Sequence, residues 1–341
     1  MNTPHMSIQA TAFWSDHGKG QLIQETLPEP GDSEVQVAAL FSGISKGTET
    51  LVFRGGVPES EHARMRAPFQ QGDFSAAVKY GYCSVGRVVQ APKGDLNDEP
   101  SPWLDQRVFC LYPHQDRYVV PVSAVHPIPD AIPSERAVLT ANMETAVNGL
   151  IDAGLDRAAC GDQRHAVTVI GAGVVGCLVA HVCHQHGHDV ELVDTQPSRQ
   201  GLAEQLGVGF AQPAKAQGER DVVIHTSASE AGLRHALTLA RQDGRIVEMS
   251  WFGDHSVTLP LGEAFHAKRL TLRSSQVGHI APERQDVWTH ESRLAHAFEM
   301  LTDPRLDALI THRAPFADLP AVMARLSDGA DGVLCQLIDY A

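Results

Sequence analysis

The most specific pattern of chemistry-bearing residues is a glycine-rich turn, Gly-Ala-Gly-Val-Val-Gly at positions 171–176. It follows a short apolar run at 167–170 and opens an apolar stretch that reaches about residue 186. Between a strand and a helix, such glycines allow a tight bend, admit a pyrophosphate and let the two elements pack closely. The pattern predicts a dinucleotide site formed by Gly171, Gly173, Val174, Val175 and Gly176.

An aspartate ends the next apolar run, about 20 residues beyond the first glycine, where dinucleotide folds place a carboxylate. Asp194 would accept hydrogen bonds from the adenosine-ribose hydroxyls and repel a 2′-phosphate. The sequence therefore favours NAD(H), while Thr195 and Arg199 in the same turn leave NADP(H) open. Two alternatives are a turn aspartate in a fold without nucleotide and an adenosylmethionine-dependent methyltransferase, which the long β-rich segment ahead of the site disfavours.

The elements that hold these residues differ between the two halves of the chain. Up to about residue 127, short runs rich in Val, Leu and Phe are broken by Gly and Pro clusters, which indicates a sandwich or barrel. From 166 to 277, apolar runs alternate with helical stretches, which indicates β-α-β units around a parallel sheet. The predicted strands of this part are 167–170, 190–194, 222–225, 245–249 and 270–274.

A change of pattern near Ser134 predicts a domain boundary, because a helical period begins there and runs over 135–153. The tail predicts a helix at 292–301, a strand near 309–310, a helix at 319–326 and a strand at 333–338. Such a piece cannot bury itself, so we expect it to pack on the N-terminal half and make that domain discontinuous in sequence.

Composition bounds the class of protein and its partners. The 341 residues exceed the size at which one hydrophobic core stops growing, so two domains are expected. The formal net charge of −14 repels phosphate backbones and anionic lipids, which argues against nucleic acid and membrane partners. Six scattered cysteines without a C-x-x-C pair predict free thiols. The polar N-terminal stretch does not resemble a secretory signal, so the expected location is cytoplasmic.

Four landmarks carry a family resemblance: Ser-Gly-Ile-Ser-Lys-Gly-Thr-Glu at 42–49, Tyr-Gly-Tyr-Cys-Ser-Val-Gly at 80–86, Thr145-Ala146, and the glycine turn. In their order and spacing they resemble the medium-chain dehydrogenase/reductase superfamily, the group of zinc alcohol dehydrogenases and quinone oxidoreductases. The segments 47–49 and 81–86 are also similar to a subgroup that includes a bacteriochlorophyllide dehydrogenase.

The resemblance implies an α/β fold of two parts. A Rossmann dinucleotide-binding domain with a doubly wound parallel sheet is expected at 134–277, and a β-rich, GroES-like catalytic domain at 1–133 and 278–341. It further implies a small-molecule substrate and a homodimer, with 256–261 as an edge strand that pairs two subunits.

Zinc-dependent members of the superfamily carry their metal ligands at three positions that match Ser45, Tyr82 and Ala141 here. None of these side chains is expected to bind Zn²⁺, which takes thiolate, imidazole or carboxylate ligands. The resemblance therefore implies a member without catalytic zinc, although Cys83 and Glu144 next to these positions keep an improvised site open.

Without a metal, a proton donor must stabilise charge on the substrate oxygen. The candidates lie where the metal would be: Tyr82, Thr48 and Lys46, with Ser45 beside them. Tyr82 is the preferred acid, because a phenol near a cation can deliver a proton at neutral pH; the alternative is that it only fills the vacated cavity. Thr48 resembles the hydroxyl that relays the substrate proton, and Glu49 is expected to brace the loop.

The resemblance adds cofactor-binding residues at later strand ends and ahead of the nucleotide domain. These are Thr145, Thr226, Ser227, Met249, Ser250, Trp251, Ser275 and Gln276. His114 is expected to be a surface histidine. The implied activity is hydride transfer between nicotinamide and a small alcohol or ketone, with alkene reduction and nucleotide binding without turnover as the alternatives.

Overall fold

The computed structural model describes residues 8–92, 101–330 and 332–341. The chain divides into two compact units, Met1–Ala141 with Leu309–Ala341, and Asn142–Ala308. Residues 93–100, which fall in the range predicted to be β-rich, lie outside the described residues. Among the residues that the structure does describe, no helix is both long and apolar enough to cross a bilayer.

The N-terminal part of the first unit consists mainly of strands. They are β1 (Ile8–Asp16), β2 (Lys19–Leu27), β3 (Glu34–Ile44), β4 (Gln71–Gly72), β5 (Val78–Lys79), β6 (Ser84–Gln90), β7 (Arg107–Cys110), β8 (Arg117–Pro121) and β9 (Val125–Pro127). Two short helices occur among and after them, α1 (Lys46–Phe53) and α2 (Ser134–Ala137). The buried valines of β3, β6, β7 and β8 form one core with Tyr112 and Tyr118, as the apolar runs predict.

The second unit alternates helices and strands. The helices are α3 (Thr140–Asp152), α4 (Arg157–Cys160), α5 (Val174–Gln185), α6 (Gln200–Leu206), α7 (Glu230–Leu239) and α8 (His290–Met300). The strands are β10 (Ala166–Ile170), β11 (Asp189–Val193), β12 (Gly209–Ala211), β13 (Arg220–His225), β14 (Ala240–Glu248) and β15 (Thr271–Ser274). They pair in parallel in the order β12-β11-β10-β13-β14-β15, which confirms the predicted doubly wound sheet.

The C-terminal segment returns to the first unit as β16 (Ile310–Pro315), α9 (Leu319–Ser327) and β17 (Cys335–Asp339). β17 pairs antiparallel with β3 and parallel with β16, so the tail extends the sheet that contains β6, β7 and β9. The expected discontinuity of this part of the molecule is therefore present in the pairing of its strands.

Two stretches lie in a different unit from the one assigned by sequence. Residues 134–141 lie in the first unit, where α2 packs against β3 and β6. Residues 278–308 lie in the second unit, because α8 is tied to α3: Arg293 Nη2 is 2.9 Å from Glu144 Oε1, and its Nη1 donates to Asn148 Oδ1 at 2.7 Å.

The segment predicted as a subunit-pairing edge strand at 256–261 has another structure. Residues 256–260 lie outside the strands, and a helical turn begins at Leu261. Two backbone N–H groups of this segment already have acceptors, since Thr258 N donates to Glu230 Oε2 and Leu261 N donates to Leu259 O, both at 3.0 Å, and Pro260 has no N–H. The edge of the parallel sheet on this side is β15.

Candidate functional site

The glycine turn between β10 and α5 has the geometry that its sequence predicts. A Cβ on Gly176 would lie 1.8 Å from the Gly171 carbonyl oxygen, and one on Gly171, whose φ is +107°, would lie 2.9 Å from Ser227. A Cβ on Gly173 would meet nothing within 4 Å. Gly171 and Gly176 thus bring helix and strand together, while Gly173 leaves open space at the start of α5, which fits the approach of a pyrophosphate.

Asp194 lies at the end of β11, half-buried beside this turn. Its Oδ2 accepts the Ala172 N–H at 2.7 Å and its Oδ1 accepts the Gln196 N–H at 2.8 Å. The carboxylate is therefore fixed against the glycine turn. Thr195 is exposed, and Arg199 and Asp194 both act electrostatically on Cys177 of α5, so the structure brings this arginine close to the same turn.

Apart from Thr145, the other residues predicted to bind a cofactor lie at the carboxyl ends of neighbouring parallel strands. The Thr226 hydroxyl donates to the carbonyl oxygens of Ile170 and Gly171 at 3.1 and 3.0 Å, which joins the end of β13 to the glycine turn. Met249 N donates to His225 O, and Ser275 N donates to Glu248 O. Ser250 and Trp251 follow Met249, Gln276 follows Ser275, and Thr145 lies half-buried on α3.

The predicted cofactor-binding residues do not include two residues at this edge, His225 and Glu248. They are register partners in β13 and β14, and His225 Nδ1 lies 2.6 Å from Glu248 Oε2. His225 Nε2 lies 2.7 Å from the Ser227 hydroxyl oxygen. A signal was present in the sequence, because each residue ends a predicted strand or lies one position before its end, but their pairing depends on the strand register.

In the first unit, Tyr82 forms a side-chain hydrogen bond with Ser45, the residue that precedes α1. Burial raises the pKa of Tyr82 well above its usual value, and the nearby Glu49 also raises it. Lys46 Nζ donates to the Ala330 carbonyl at 2.9 Å. Tyr82 is therefore a phenol that keeps its proton beside an anion. Thr48 lies half-buried in the first turn of α1.

A buried row of polar side chains begins at the backbone of Ser45. Glu49 Oε1 accepts the Ser45 N–H at 2.7 Å, and its Oε2 is 2.7 Å from His114 Nε2. His114 Nδ1 is 2.7 Å from the Ser42 hydroxyl, which is 3.0 Å from the Tyr340 hydroxyl. Glu49 braces the loop at Ser45, as expected. The surface position expected for His114 is wrong, because its side chain is 1% exposed.

The side chains at the three positions matched to zinc ligands are not of the types that zinc prefers. Ser45 and Tyr82 offer hydroxyls and Ala141 a methyl group, and Zn²⁺ prefers thiolate, imidazole and carboxylate. Cys83 is buried, which raises the pKa of its thiol well above the usual value. Glu49 and His114 already bind each other. Across the described residues, no three His, Cys, Asp or Glu side chains are arranged to hold a metal ion.

Comparisons with known proteins agree with both units. A family model described as the 3-hydroxyacyl-CoA dehydrogenase NAD binding domain matches residues 166–220. The chain is 23% identical over 337 residues to the L-galactonate-5-dehydrogenase of Escherichia coli K12, covering 89% of this chain and 90% of the relative. It is 26% identical over 340 residues to the 2-desacetyl-2-hydroxyethyl bacteriochlorophyllide A dehydrogenase of Cereibacter sphaeroides, covering 94% of each.

A solved structure shows the same fold over nearly the whole length. The L-idonate 5-dehydrogenase of Escherichia coli superposes with a TM-score of 0.77 at 15% identity and covers 98% of this chain and 99% of the neighbour. This chain and that solved structure thus share one mixed α/β fold.

Proposed function

We propose that this chain is a medium-chain dehydrogenase/reductase, a zinc-independent, alcohol dehydrogenase-like enzyme that transfers hydride between NAD(H) and a small alcohol or ketone. Two relatives are named for the oxidation of hydroxy acids at carbon 5, which supports a secondary alcohol or its ketone as the substrate class. When bound, the nicotinamide supplies or accepts the hydride.

The observation that carries the zinc-independent chemistry is the hydrogen bond between Tyr82 and Ser45, at two positions where zinc-dependent relatives place metal ligands. A Lewis acid would stabilise negative charge on the substrate oxygen, and a fixed hydroxyl donor can take over that role. The raised pKa of Tyr82 keeps the phenol protonated at neutral pH. An alkoxide is a stronger base than a phenolate, so the phenol can still protonate the product of carbonyl reduction.

The preference for NAD(H) rests on Asp194, whose carboxylate is fixed beside the glycine turn and would repel a 2′-phosphate. Arg199 near the same turn would weaken this repulsion, so we expect measurable but weaker binding of NADPH. A soluble cytoplasmic homodimer completes the proposal; the formal net charge of −14 suits solubility, and β15, the edge strand of the parallel sheet among the described residues, offers a pairing strand.

The test combines cofactor binding, metal content and a conservative substitution. Calorimetry on protein whose zinc has been measured should give micromolar binding of NADH, weaker binding of NADPH and far less than one zinc per chain. Tyr82→Phe should lower kcat for ketone reduction by about 10²-fold and leave NADH affinity unchanged. The matched control is Tyr80→Phe, because the Tyr80 ring lies edge-on to that of Tyr82 with centroids 5.9 Å apart.

Each result bears on a different part of the proposal. Binding of neither nucleotide would overturn the proposed activity as a whole. Stoichiometric zinc would overturn zinc independence. A Tyr82→Phe enzyme with unchanged kcat would remove the phenol as the donor. An enzyme that reduces activated alkenes but no ketone would change the proposed substrate class from ketones to alkenes.

A further inference from the structure

Three side chains form a row at the carboxyl ends of β13 and β14: a hydroxyl, an imidazole and a carboxylate. The Ser227 oxygen is 2.7 Å from His225 Nε2, and His225 Nδ1 is 2.6 Å from Glu248 Oε2. The row is buried at its centre and open at its serine end, because His225 is fully buried and Ser227 is exposed. Its open end lies against the glycine turn, where a Cβ on Gly171 would be 2.9 Å from the Ser227 backbone and side chain.

The surroundings of the row leave little freedom to the imidazole. Phe252 stacks on the His225 ring with centroids 6.2 Å apart. On the opposite element, α7 carries Gly232, where a Cβ would lie 2.5 Å from the Ser227 oxygen and 2.7 Å from His225 Nε2. A glycine inside a helix costs about 0.5–1 kcal/mol relative to alanine, so this helix gives up stability at the one position where the row needs space.

Glu248 also fixes the neighbouring loop. Its Oε1 accepts the Ser250 N–H at 2.7 Å, and the Ser250 hydroxyl accepts the Ala228 N–H at 3.0 Å. Ala228 has a φ of +51°, which is unfavourable for a residue with a Cβ and requires support from its surroundings. One carboxylate thus holds the two strand-end loops that carry Ser227 and Ser250.

Proton counting defines what Ser227 offers to a ligand. Nδ1 of the ring faces a carboxylate, so it carries the proton in the neutral imidazole, and Nε2 presents its lone pair. The Ser227 O–H must then donate to Nε2. The Ser229 hydroxyl, 2.9 Å away, accepts the Gly232 N–H and can donate to Ser227. One lone pair of the Ser227 oxygen is left for the open side of the turn.

We propose that His225, oriented by Glu248, is a positioning residue that makes the Ser227 hydroxyl a hydrogen-bond acceptor for a ribose hydroxyl of the bound dinucleotide. A ribose hydroxyl has a proton to donate to this lone pair, whereas a phosphate oxygen has none, so the row favours a hydroxyl-bearing ribose at this point. The inference rests on the proposed function and adds a recognition element that is separate from Asp194.

The experiment measures NADH affinity by calorimetry at about pH 8, above the usual titration range of histidine. Ser227→Ala should raise the Kd for NADH about three- to tenfold, the loss of one hydrogen bond, with an unchanged melting temperature. His225→Phe keeps a ring against Phe252 and should give the same loss. The double variant should lose no more than either single variant, because both changes remove one interaction.

Substitutions of the carboxylate separate positioning from a merely structural role. Glu248→Gln keeps one acceptor oxygen for two N–H groups, those of His225 Nδ1 and Ser250, and Glu248→Leu keeps none, so Glu248→Gln should weaken NADH binding less than Glu248→Leu does. A long-range ¹H–¹⁵N spectrum should show a protonated Nδ1 and an unprotonated Nε2 on His225. His188→Gln is the control, since this buried histidine of the same unit binds the Leu155 carbonyl through Nε2.

Unchanged NADH affinity in Ser227→Ala, or additive losses in the double variant, would overturn this inference and leave the proposed function standing. A parent protein that binds neither NADH nor NADPH would overturn the proposed function and this inference with it. If His225→Phe fails to fold, the Ser227→Ala affinity and the protonation pattern of the His225 ring decide the question, because Ser227 is exposed and the spectrum needs no substitution of His225.

Discussion

Each of the two units of this protein contains a hydrogen-bonded row of a serine hydroxyl, an imidazole and a carboxylate, but the two rows differ in their exposure. In the first unit Ser42, His114 and Glu49 are joined at 2.7 and 2.7 Å; in the second, Ser227, His225 and Glu248 are joined at 2.7 and 2.6 Å. The first row is sealed, since its serine is 1% exposed and continues to Tyr340. The second row opens on an exposed serine beside the glycine turn.

The difference shows that the role of a hydroxyl–imidazole–carboxylate row depends on where its ends lie. All groups of the sealed row are used inside the first unit, and its carboxylate supports the loop at Ser45. Such a row stabilises a fold but offers nothing to a ligand. The open row has one unfilled acceptor position, so its geometry can serve recognition.

The largest expected effect comes from breaking the sealed row. His114→Ala leaves the Glu49 carboxylate buried without its partner, and we expect the free energy of unfolding to fall by about 3–5 kcal/mol. Urea denaturation followed by tryptophan fluorescence measures this, because each unit contains two tryptophans. In the open row, Ser227→Ala should change the same quantity by less than about 0.5 kcal/mol. A loss under about 1 kcal/mol for His114→Ala would contradict the structural role of the sealed row.

A second prediction concerns His181, a buried histidine that lies farther from its neighbouring carboxylate than His114 does. Burial lowers the pKa of His181 to about 4, and Asp303, 3.9 Å from Nε2, opposes this only in part. Between about pH 6.5 and 4 the unfolded chain binds a proton that the folded chain does not, so stability falls as pH falls through this window. The loss approaches about 3 kcal/mol and is complete below the folded pKa.

Denaturation series between neutral pH and about pH 4.5 should therefore show an acid-dependent loss of stability that His181→Gln reduces. His114 of the sealed row serves as the comparison for His181, because it is also a buried histidine but has a carboxylate at 2.7 Å. An unchanged slope in the His181→Gln protein would remove His181 as the source of the acid sensitivity.

The smallest expected effect concerns the glycine turn, in which Gly176 allows close packing and Gly173 leaves space for the cofactor. Gly176→Ala places a methyl group against the Gly171 carbonyl and should cost about 1–3 kcal/mol of stability as well as NADH binding. Gly173→Ala meets open space, so it should leave the melting temperature unchanged and weaken NADH binding. Thermal scanning with and without NADH measures both. Unchanged NADH binding in Gly173→Ala would mean that the open space at Gly173 has no role in binding.

Much of the nucleotide unit could be predicted from sequence because its signals are local. The five predicted strands appear as β10, β11, β13, β14 and β15, with ends shifted by one residue or a few. The short strand β12 was missed, since three residues carry no periodic signal. The predicted helix at 135–153 is divided into α2 and α3, and the Thr140 hydroxyl donates to the Ala137 carbonyl near this break.

The roles of the catalytic candidates were harder to predict, because those roles depend on contacts between segments that are distant along the chain. The sequence located Tyr82, Ser45 and Glu49, but it could not show that Lys46 binds Ala330 or that His114 is buried against Glu49. These partners lie 284 and 65 residues apart along the chain.

By itself, the sequence determined the doubly wound sheet, the glycine turn and the acidic residue after the second strand, because glycine spacing and apolar periodicity act within a single β-α-β unit. Only the tertiary structure decided that Ser227, His225 and Glu248 form one row, and that Ser42, His114 and Glu49 form another. Hydrogen bonds require atoms about 3 Å apart, and that proximity is set by strand register and packing rather than by any local pattern.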